Sequence, residues 1–268
     1  MIPASPLRLA QITDLHLFAR PDRKLLGVPT LSSFQAVLRG LLSLNYARDL
    51  LLLTGDLSQD ETPESYQVLQ DLIRPLQIPT YWVPGNHDNL SVMESVLTDS
   101  PLCADKSFEM GNWRFILLNS QIPGADGGRL SRTSLEWLDW ELYKAGNQPT
   151  FIALHHPPFP VNSEWLDQIN LENSEAFFGV LDRYRRYRNV KLVACGHAHQ
   201  NLLFYRENVA YFATPSTCVQ FQPKSIEFAL DDAAPGFRLF NLYPNGTWET
   251  KVERVPIAAQ PDLTALGY

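Results

Sequence analysis

All six histidines of this chain lie in short polar motifs that follow apolar runs, and a Gly-Asp pair follows a further run. The motifs, in chain order, are Asp14-Leu15-His16, Gly55-Asp56, Gly85-Asn86-His87-Asp88, His155-His156-Pro157 and Gly196-His197-Ala198-His199. Imidazole, carboxylate and carboxamide groups offer N and O donors, which suit Fe, Mn or Zn rather than a thiolate-selected metal. Because functional residues collect at the carboxyl ends of strands in α/β sheets, these motifs predict one shared metal centre.

Taken singly, each motif has a simpler structural interpretation. Asp, Asn and Gly are common in turns because they tolerate a positive φ. His197 and His199 project to the same side of a strand end, which both ligand pairs and exposed pairs do. Five such motifs that together use every histidine favour a metal centre over five unrelated turns. Cys195, which precedes the last motif, is expected to be a buried structural residue.

Apolar runs rich in Leu, Ile and Val predict the strands that position these motifs. Helical patterns lie between several of them, one beginning at Thr62 as N-cap with Pro63 next and another ending at Gly146. The alternation of strand and helix predicts α/β layering. The strands are Leu7–Ile12, Leu50–Leu53, Tyr81–Val83, Phe115–Leu118, Phe151–Leu154 and Lys191–Ala194, and the helices Ser32–Leu44, Thr62–Arg74 and Ser131–Ala145.

The pattern changes after Asn201 to shorter β-like runs separated by Pro and Gly. We expect these runs to form a second, more antiparallel sheet that packs on the first. No repeat or linker interrupts the chain, so residues 1–268 are predicted to be a single domain. The late runs are Leu202–Tyr205, Val209–Ala213, Phe237–Leu242 and Thr247–Val255.

Composition limits the class of protein. Of 268 residues 45% are hydrophobic and 19% charged, which argues against disorder. The formal net charge of −7 disfavours a nucleic acid as partner.

Cys103, Cys195 and Cys218 are too few for a disulfide framework. Residues 1–6 carry no secretory signal, and no apolar run reaches the roughly 18 residues of a membrane span. A cytoplasmic protein without a membrane partner is expected, and a homo-oligomer is compatible with the sequence.

The ordered motifs resemble those of the calcineurin-like metallophosphoesterases. More narrowly, the chain is similar to the class III cyclic nucleotide phosphodiesterases, in particular the bacterial enzymes that act on 3′,5′-cyclic AMP. Stretches outside the histidine motifs carry this closer resemblance, which runs to Gly267-Tyr268; they are Gln11–Phe18, Trp165–Gln168 and Thr214–Phe221. The resemblance implies an α/β/β/α fold, a two-sheet sandwich flanked by helices.

The resemblance also implies two divalent metal ions, with Fe, Mn or Zn as candidates. Two cations roughly 3.5–4 Å apart acidify a bridging water and clamp a phosphate. With two aspartates and a bridging hydroxide, such a centre carries a net charge of about +1, which matches a singly charged diester. In the family pattern one metal is held by Asp14, His16 and His199 and the other by Asn86, His155 and His197, with Asp56 bridging both.

Two histidines have other roles in this pattern. His87 faces the substrate and protonates the departing alkoxide as general acid. Asp88 either orients that imidazole or is the N-cap of a helix over residues 89–97. His155 is assigned to the metal because it directly follows a strand, as the family's first histidine does. His156 then lies either behind the metal ligands or beside the substrate. The expected substrate contacts are His16, Asp56, Asn86, His87 and His156.

The function that the resemblance implies is hydrolysis of 3′,5′-cyclic AMP to 5′-AMP by attack of a metal-bridging hydroxide. A broader specificity, for 2′,3′-cyclic nucleotides or other diesters, is the alternative. A scaffold with a dead site is disfavoured because His87 and all seven ligand positions are filled. Gln59 stands where purple acid phosphatases have a tyrosine ligand and protein phosphatases an aspartate. Phe159 and Trp165 are candidates for stacking on the base or for simple core packing.

Overall fold

The computed structural model describes residues 5–187 and 189–267. Residues 1–4, on which the expected lack of a secretory signal partly rests, and Tyr268 lie outside these ranges. The strands are β1 (Leu7–Ile12), β2 (Lys24–Leu25), β3 (Val28–Pro29), β4 (Leu50–Thr54), β5 (Thr80–Val83), β6 (Leu102–Cys103), β7 (Ser107–Met110), β8 (Trp113–Leu117), β9 (Thr150–Ala153), β10 (Val190–Cys195), β11 (Leu202–Arg206), β12 (Val209–Ala213), β13 (Gln220–Phe221), β14 (Leu230–Asp231), β15 (Gly236–Leu242) and β16 (Trp248–Arg254).

Two helices begin or end at capping residues that the sequence analysis identified. The Thr62 side chain caps the second helix by accepting a hydrogen bond from the backbone N–H of Ser65, as predicted, with Pro63 in the first turn. The fourth helix begins after Ser131 and ends at Gly146, whose φ of 55° suits glycine. The helices are α1 (Thr30–Ser43), α2 (Pro63–Ile73), α3 (Leu90–Val96), α4 (Arg132–Ala145), α5 (Glu164–Asp167) and α6 (Ser174–Arg183).

Two mixed sheets, each of six strands within the described ranges, form the centre of the molecule. The first sheet has the order β16-β15-β1-β4-β5-β6, in which β1, β4, β5 and β6 are parallel. The second has the order β11-β12-β10-β9-β8-β7, in which β12, β10, β9 and β8 are parallel. With helices on both outer faces, this is the α/β/β/α sandwich that the sequence analysis predicted.

The expectation that the strands after Asn201 form the second sheet by themselves is wrong. Strands β11 and β12 extend a sheet that β7–β10 have already built, and β15 and β16 return to the first sheet. Strand β15 pairs antiparallel with β1, with Leu9 opposite Phe240. An alternating apolar run predicts a strand, but the open edge with which it pairs depends on packing across the whole sandwich. Phe240 and Leu242 fill the space between the sheets, and this fixes the pairing.

The alternation of side chains along the strands divides the apolar core into three layers. On β1, Leu9 points between the two sheets and Ala10 points toward α1 and α2. Cys195 is fully buried in the third layer, beneath α4 and α6, as expected for a structural cysteine. Within residues 5–187 and 189–267, no helix combines the length and apolar character that a bilayer span requires.

Candidate metal centre

The carboxyl ends of parallel strands from both sheets meet at one edge of the sandwich. The loop after β1 is joined to the loop after β4 by a hydrogen bond of 3.0 Å from the Asp14 N–H to the Gly55 carbonyl. The backbone N–H of His197, after β10, donates to Oδ1 of Asp14 at 3.0 Å and thereby connects the two sheets. The predicted ligands on these loops are all brought to this edge.

Five of the predicted ligands have a left-handed backbone conformation, which non-glycine residues rarely adopt. Their φ angles are 54° for Asp14, 49° for His16, 51° for Asp56, 64° for His197 and 48° for His199. Such conformations cluster at functional sites, where the surrounding structure holds them in place. Here they turn each side chain back toward the sheet edge directly after its strand ends.

Glycines make this close approach of the loops feasible. A Cβ on Gly55, whose φ is +96°, would overlap Nδ1 of His155, and one on Gly85 would overlap Oδ1 of Asp56. The Gly-Asp and Gly-Asn pairs of the sequence therefore serve as points of contact between loops and not as ordinary turns.

The first group of ligand atoms comes from Asp14, His16, Asp56 and His199, which are all buried and offer atoms within 4.8 Å of one another. Nε2 of His16 lies 3.2 Å from Nε2 of His199. Nε2 of His199 also lies 3.3 Å from Oδ1 of Asp14. Two imidazole nitrogens and a carboxylate oxygen thus converge on one point.

The second group is built around His155 and His197. Oδ1 of Asn86 lies 3.1 Å from Nε2 of His155 and 3.1 Å from Nδ1 of His197. Oδ2 of Asp56 lies 3.2 Å from Nε2 of His155 and 3.9 Å from Nε2 of His16. The carboxylate of Asp56 therefore stands between the two groups, where a bridging ligand would be needed.

Hydrogen bonds to the far side of the rings fix which nitrogen faces the centre. Nδ1 of His155 lies 2.8 Å from the carbonyl oxygen of Thr54, and Nδ1 of His199 lies 2.9 Å from that of Val219. A carbonyl only accepts, so each Nδ1 carries a proton and Nε2 is the ring nitrogen that faces the centre. This is the orientation that a metal ligand requires.

Two buried atoms at this edge have no hydrogen-bond partner among the described residues, Oδ2 of Asp14 and Nε2 of His197. A buried carboxylate oxygen or ring nitrogen without a partner is costly, and a cation would satisfy both. Burial lowers the pKa of His16 to about 3, so its imidazole is neutral as ligation requires. Against the effect of burial, Asp56 raises the pKa of His155 to about 9, so metal binding there would release a proton. The residues fit a pair of divalent cations.

A family model described as calcineurin-like phosphoesterase matches residues 7–201. The chain belongs to this family. A 3′,5′-cyclic-nucleotide phosphodiesterase of Nostoc sp. is 51% identical over 261 residues, 97% of this chain and 97% of that protein. The 3′,5′-cyclic adenosine monophosphate phosphodiesterases CpdA of Vibrio vulnificus and Escherichia coli K12 are 43% and 41% identical, covering 98% of this chain and 95% of each relative.

Solved structures of low sequence identity have the same fold. A dimetal phosphatase from Danio rerio has a TM-score of 0.66 at 15% identity, covering 94% of this phosphoesterase and 100% of that chain. A purple acid phosphatase from yellow lupin has a TM-score of 0.64 at 15% identity, and the match covers 94% of this chain and 52% of that chain. At this identity the likeness concerns the fold alone, and it agrees with the two-sheet sandwich.

The structure contradicts one of the two interpretations of Asp88, and its orientation of His87 stays a prediction. The N-cap of α3 is Asn89, whose side chain accepts from the N–H of Val92, so the N-cap assignment for Asp88 is wrong. The buried Asp88 carboxylate accepts hydrogen bonds from the backbone N–H groups of Leu57, Ser58 and Gly85 at 2.9–3.1 Å. Tyr66 donates to it from its hydroxyl at 3.1 Å. Asp88 thereby ties the loop of Asp56 to the loop that carries His87.

His156 lies beside His155 and His197, and these three buried histidines offer ring nitrogens within 4.8 Å of one another. The ring of His156 is fully buried, with Nδ1 2.8 Å from Oγ of Ser120 and Nε2 3.1 Å from the carbonyl oxygen of Asp126. Both ring nitrogens are thus engaged by the segment that follows β8. The geometry supports a structural role for His156 beside His155, and a contact of His156 with substrate stays a prediction.

The edge of the sandwich at which the predicted ligands meet is called the metal edge below. A cavity of about 240 Å³ opens beside it. Its lining includes the polar residues Asn86, His87 and His197 and the aromatic residues Trp165, Phe221 and Phe228. Phe221 stacks on the ring of His199, with centroids 4.1 Å apart, so the aromatic wall is continuous with the ligand groups. Phe159, the other aromatic candidate, is a core residue that stacks on Phe204.

Proposed function

We propose that this chain is a di-metal phosphodiesterase that hydrolyses 3′,5′-cyclic AMP to 5′-AMP. The observation that carries the proposal is the placement of two ligand groups, joined by Asp56, next to a partly exposed histidine and an aromatic cavity. In this proposal Asp14, His16 and His199 hold one cation, and Asn86, His155 and His197 hold the other. Substrate specificity is supported by relatives in Nostoc, Vibrio and Escherichia that carry this activity in their names.

The cations, when bound, would acidify water and neutralise the phosphoryl oxygens. His87 is the group of the chain placed to handle the leaving oxygen, because it is partly exposed and lines the cavity while its backbone N–H donates to Oδ1 of Asp56 at 2.9 Å. Opening of the P–O3′ bond leaves an alkoxide, and His87 donates its proton to O3′. The phosphate remains on O5′, so the product is 5′-AMP.

The aromatic side of the cavity provides the site for the base. Trp165 meets Phe221 and Phe228 edge-on, with ring centroids 5.0 and 5.2 Å apart, and its Nε1 donates to Oγ of Ser225 at 3.1 Å. These contacts hold the Trp165 ring in place, and its apolar face is a preformed surface on which a purine could stack. A substrate phosphate at the metal edge and a base on Trp165 would together fill the cavity.

Nitrogen and oxygen ligands favour Fe, Mn or Zn as the native metals, with iron and manganese preferred here because the sites combine imidazoles with hard carboxylate and amide oxygens. A cytoplasmic location is part of the proposal, because Cys103, Cys195 and Cys218 are all free thiols, as a reducing compartment would keep them.

The experiment is a product assay on purified protein loaded with Mn²⁺ or Fe²⁺ and offered 3′,5′-cyclic AMP, 3′,5′-cyclic GMP and 2′,3′-cyclic AMP. We expect 5′-AMP from 3′,5′-cyclic AMP, separated by chromatography, and none after chelation of the metals. If 3′-AMP dominates, or if 2′,3′-cyclic AMP alone is turned over, the substrate assignment fails and a broader phosphodiesterase remains. If no diester is hydrolysed with either metal, including a bis-aryl phosphate, the enzyme assignment fails in favour of a scaffold.

A further inference from the structure

The layer between the two sheets is apolar along its length but polar at the end beneath the metal edge. Side chains on each strand alternate between this layer and the outer layers. On β1 the side chains that point into this layer are Leu7, Leu9 and then Gln11. By the same alternation, Thr54 at the end of β4 and Thr214 directly after β12 also point into it. All three polar side chains are fully buried.

The carboxamide of Gln11 connects these positions. Its Nε2 donates to Oγ1 of Thr54 at 2.8 Å and to the carbonyl oxygen of Cys195 at 3.0 Å. Its Oε1 accepts a hydrogen bond of 2.6 Å from the hydroxyl of Thr214. Both amide hydrogens and the oxygen of Gln11 therefore form hydrogen bonds. Thr54 belongs to the same sheet as Gln11, whereas Cys195 and Thr214 belong to the other sheet.

The hydroxyl of Thr214 is itself held in this orientation. Nε of Arg238 donates to Oγ1 of Thr214 at 3.1 Å, so the Thr214 hydrogen is directed to Gln11. Arg238 is buried and donates to neutral oxygens, including Oδ1 of Asn201 at 2.6 Å and the carbonyl of Ala213 at 3.1 Å. The connection between the sheets is thus part of a satisfied polar network, which is more rigid than a single hydrogen bond.

Two of the three groups that Gln11 contacts, and Gln11 itself, lie just before a predicted metal ligand. Thr54 precedes Asp56 by two residues, and Cys195 precedes His197 by two, while Gln11 itself stands three residues before Asp14. In the first group Asp14, His16 and Asp56 follow strands of one sheet and His199 follows a strand of the other. In the second group Asn86 follows β5 of the first sheet, whereas His155 and His197 follow strands of the second. The spacing of the sheets at this edge therefore sets the spacing of the ligands.

We propose that Gln11 is a positioning residue that fixes the distance between the two sheets at the metal edge and thereby the geometry of both ligand groups. The proposal rests on the metal sites of the proposed function and does not depend on cyclic AMP as the substrate. Loss of the Gln11 amide leaves the Thr214 hydroxyl and the Cys195 carbonyl without this partner in a buried layer, and the sheets can shift to find others.

The test measures binding of Mn²⁺ to chelator-stripped protein by calorimetry, with electron paramagnetic resonance to detect coupled ion pairs. Gln11→Met keeps the length of the side chain without its hydrogen bonds, and Thr214→Val keeps the shape of Thr214 without its hydroxyl. We expect each variant to bind Mn²⁺ about 10- to 100-fold more weakly and to lose the signal of the coupled pair. Thr214→Ser, which retains the hydroxyl, is expected to restore wild-type affinity.

Leu50→Val is the matched control, because Leu50 lies in the same inter-sheet layer at the opposite end of β4. We expect it to lower the unfolding midpoint and leave Mn²⁺ affinity unchanged. Unchanged affinity in Gln11→Met and Thr214→Val, or an equal loss in Leu50→Val, would overturn the proposal. If Gln11→Met fails to fold, the Thr214 pair decides. Because the readout is metal binding, a wild-type protein that binds two ions and ignores cyclic AMP refutes the proposed function alone.

Discussion

The side-chain amide nitrogen of Gln59 lies 3.3 Å from Nδ1 of His87. The other end of the same carboxamide, Oε1, lies 2.7 Å from Nδ1 of His16. If His16 presents Nε2 to a metal, its Nδ1 carries the proton that Oε1 of Gln59 accepts. The amide group of Gln59 then lies against Nδ1 of His87 and holds the orientation of that ring. One glutamine thus connects a predicted metal ligand to the ring of the proposed acid.

Gln59→Met tests this coupling, because methionine has a similar length and cannot form either hydrogen bond. We expect a loss of kcat of about 10- to 100-fold on 3′,5′-cyclic AMP, since the His87 ring is no longer oriented. The loss should be smaller on a bis-aryl phosphate, whose leaving group hardly needs a proton. Steady-state kinetics on both substrates make the comparison. Equal losses on the two would mean that Gln59 acts through the metal ligand His16 instead.

His87→Ala is expected to retain both metals and to lose roughly two to four orders of magnitude in kcat on 3′,5′-cyclic AMP. The physical reason is the high basicity of the ribose O3′ as a leaving group. Elemental analysis checks the metals and stopped assays give the rates, with the bis-aryl phosphate as the substrate that is least affected. A variant that loses alkyl and aryl activity to the same extent would identify His87 as a phosphate-binding group.

Asp56→Ala is expected to lose more bound metal than any other single ligand variant. The reason is that Oδ2 of Asp56 lies 3.2 Å from Nε2 of His155 and 3.9 Å from Nε2 of His16, between the two groups. Metal content per chain after gel filtration measures this, with Asp14→Ala as the comparison at one site. Retention of two metals in Asp56→Ala would rule out a bridging carboxylate. Because the ligands share one charge centre, double substitutions should be non-additive.

The ligand motifs could be predicted from sequence because each is local to a strand end. The Gly-Asp pair, for example, is needed because Asp56 has a left-handed backbone conformation and Gly55 lies too close to His155 for a side chain. The partners that hold the ligands could not be predicted, since Gln11 meets Cys195 across 184 residues of sequence. Gln59 stands where purple acid phosphatases have a tyrosine ligand, but the sequence does not indicate its contact with His87, which depends on how two loops fold together. The pairing of β15 with β1 could not be predicted from sequence either, because it depends on how the two sheets pack together.

Lys106 gives the protein a pH dependence that is independent of the metal edge. Its Nζ donates to the carbonyl of Trp82 at 2.8 Å and lies over the Trp82 ring. Burial lowers the pKa of Lys106 to about 7, against the opposing effects of Glu94 and Asp105. Between about pH 7 and the ordinary lysine pKa of 10.5 the unfolded chain binds more protons at this residue, so the free energy of unfolding rises with pH.

Lys106→Met is expected to remove that rise, because no proton is then taken up on unfolding at this position. Urea titrations of metal-free protein at several pH values in this window measure it, and the difference between wild type and variant cancels the other titrating groups. Below pH 7 the contribution of Lys106 should be constant, because both states are protonated there. A difference that stays constant throughout the window would show that Lys106 keeps its ordinary pKa.

Trp165→Ala addresses the base site. We expect KM for 3′,5′-cyclic AMP to rise by about 5- to 100-fold, the equivalent of about 1–3 kcal/mol for one stacked base, with a smaller change in kcat. A bis-aryl phosphate has no base, so its KM should change little. Trp140→Ala is the matched control, since Trp140 is 55% exposed on α4 and does not line the cavity. Trp165→Phe keeps an aromatic face and is expected to retain most of the affinity. If KM for 3′,5′-cyclic AMP is unchanged in Trp165→Ala while the fold is intact, the base lies elsewhere and Trp165 is a packing residue beside Phe221.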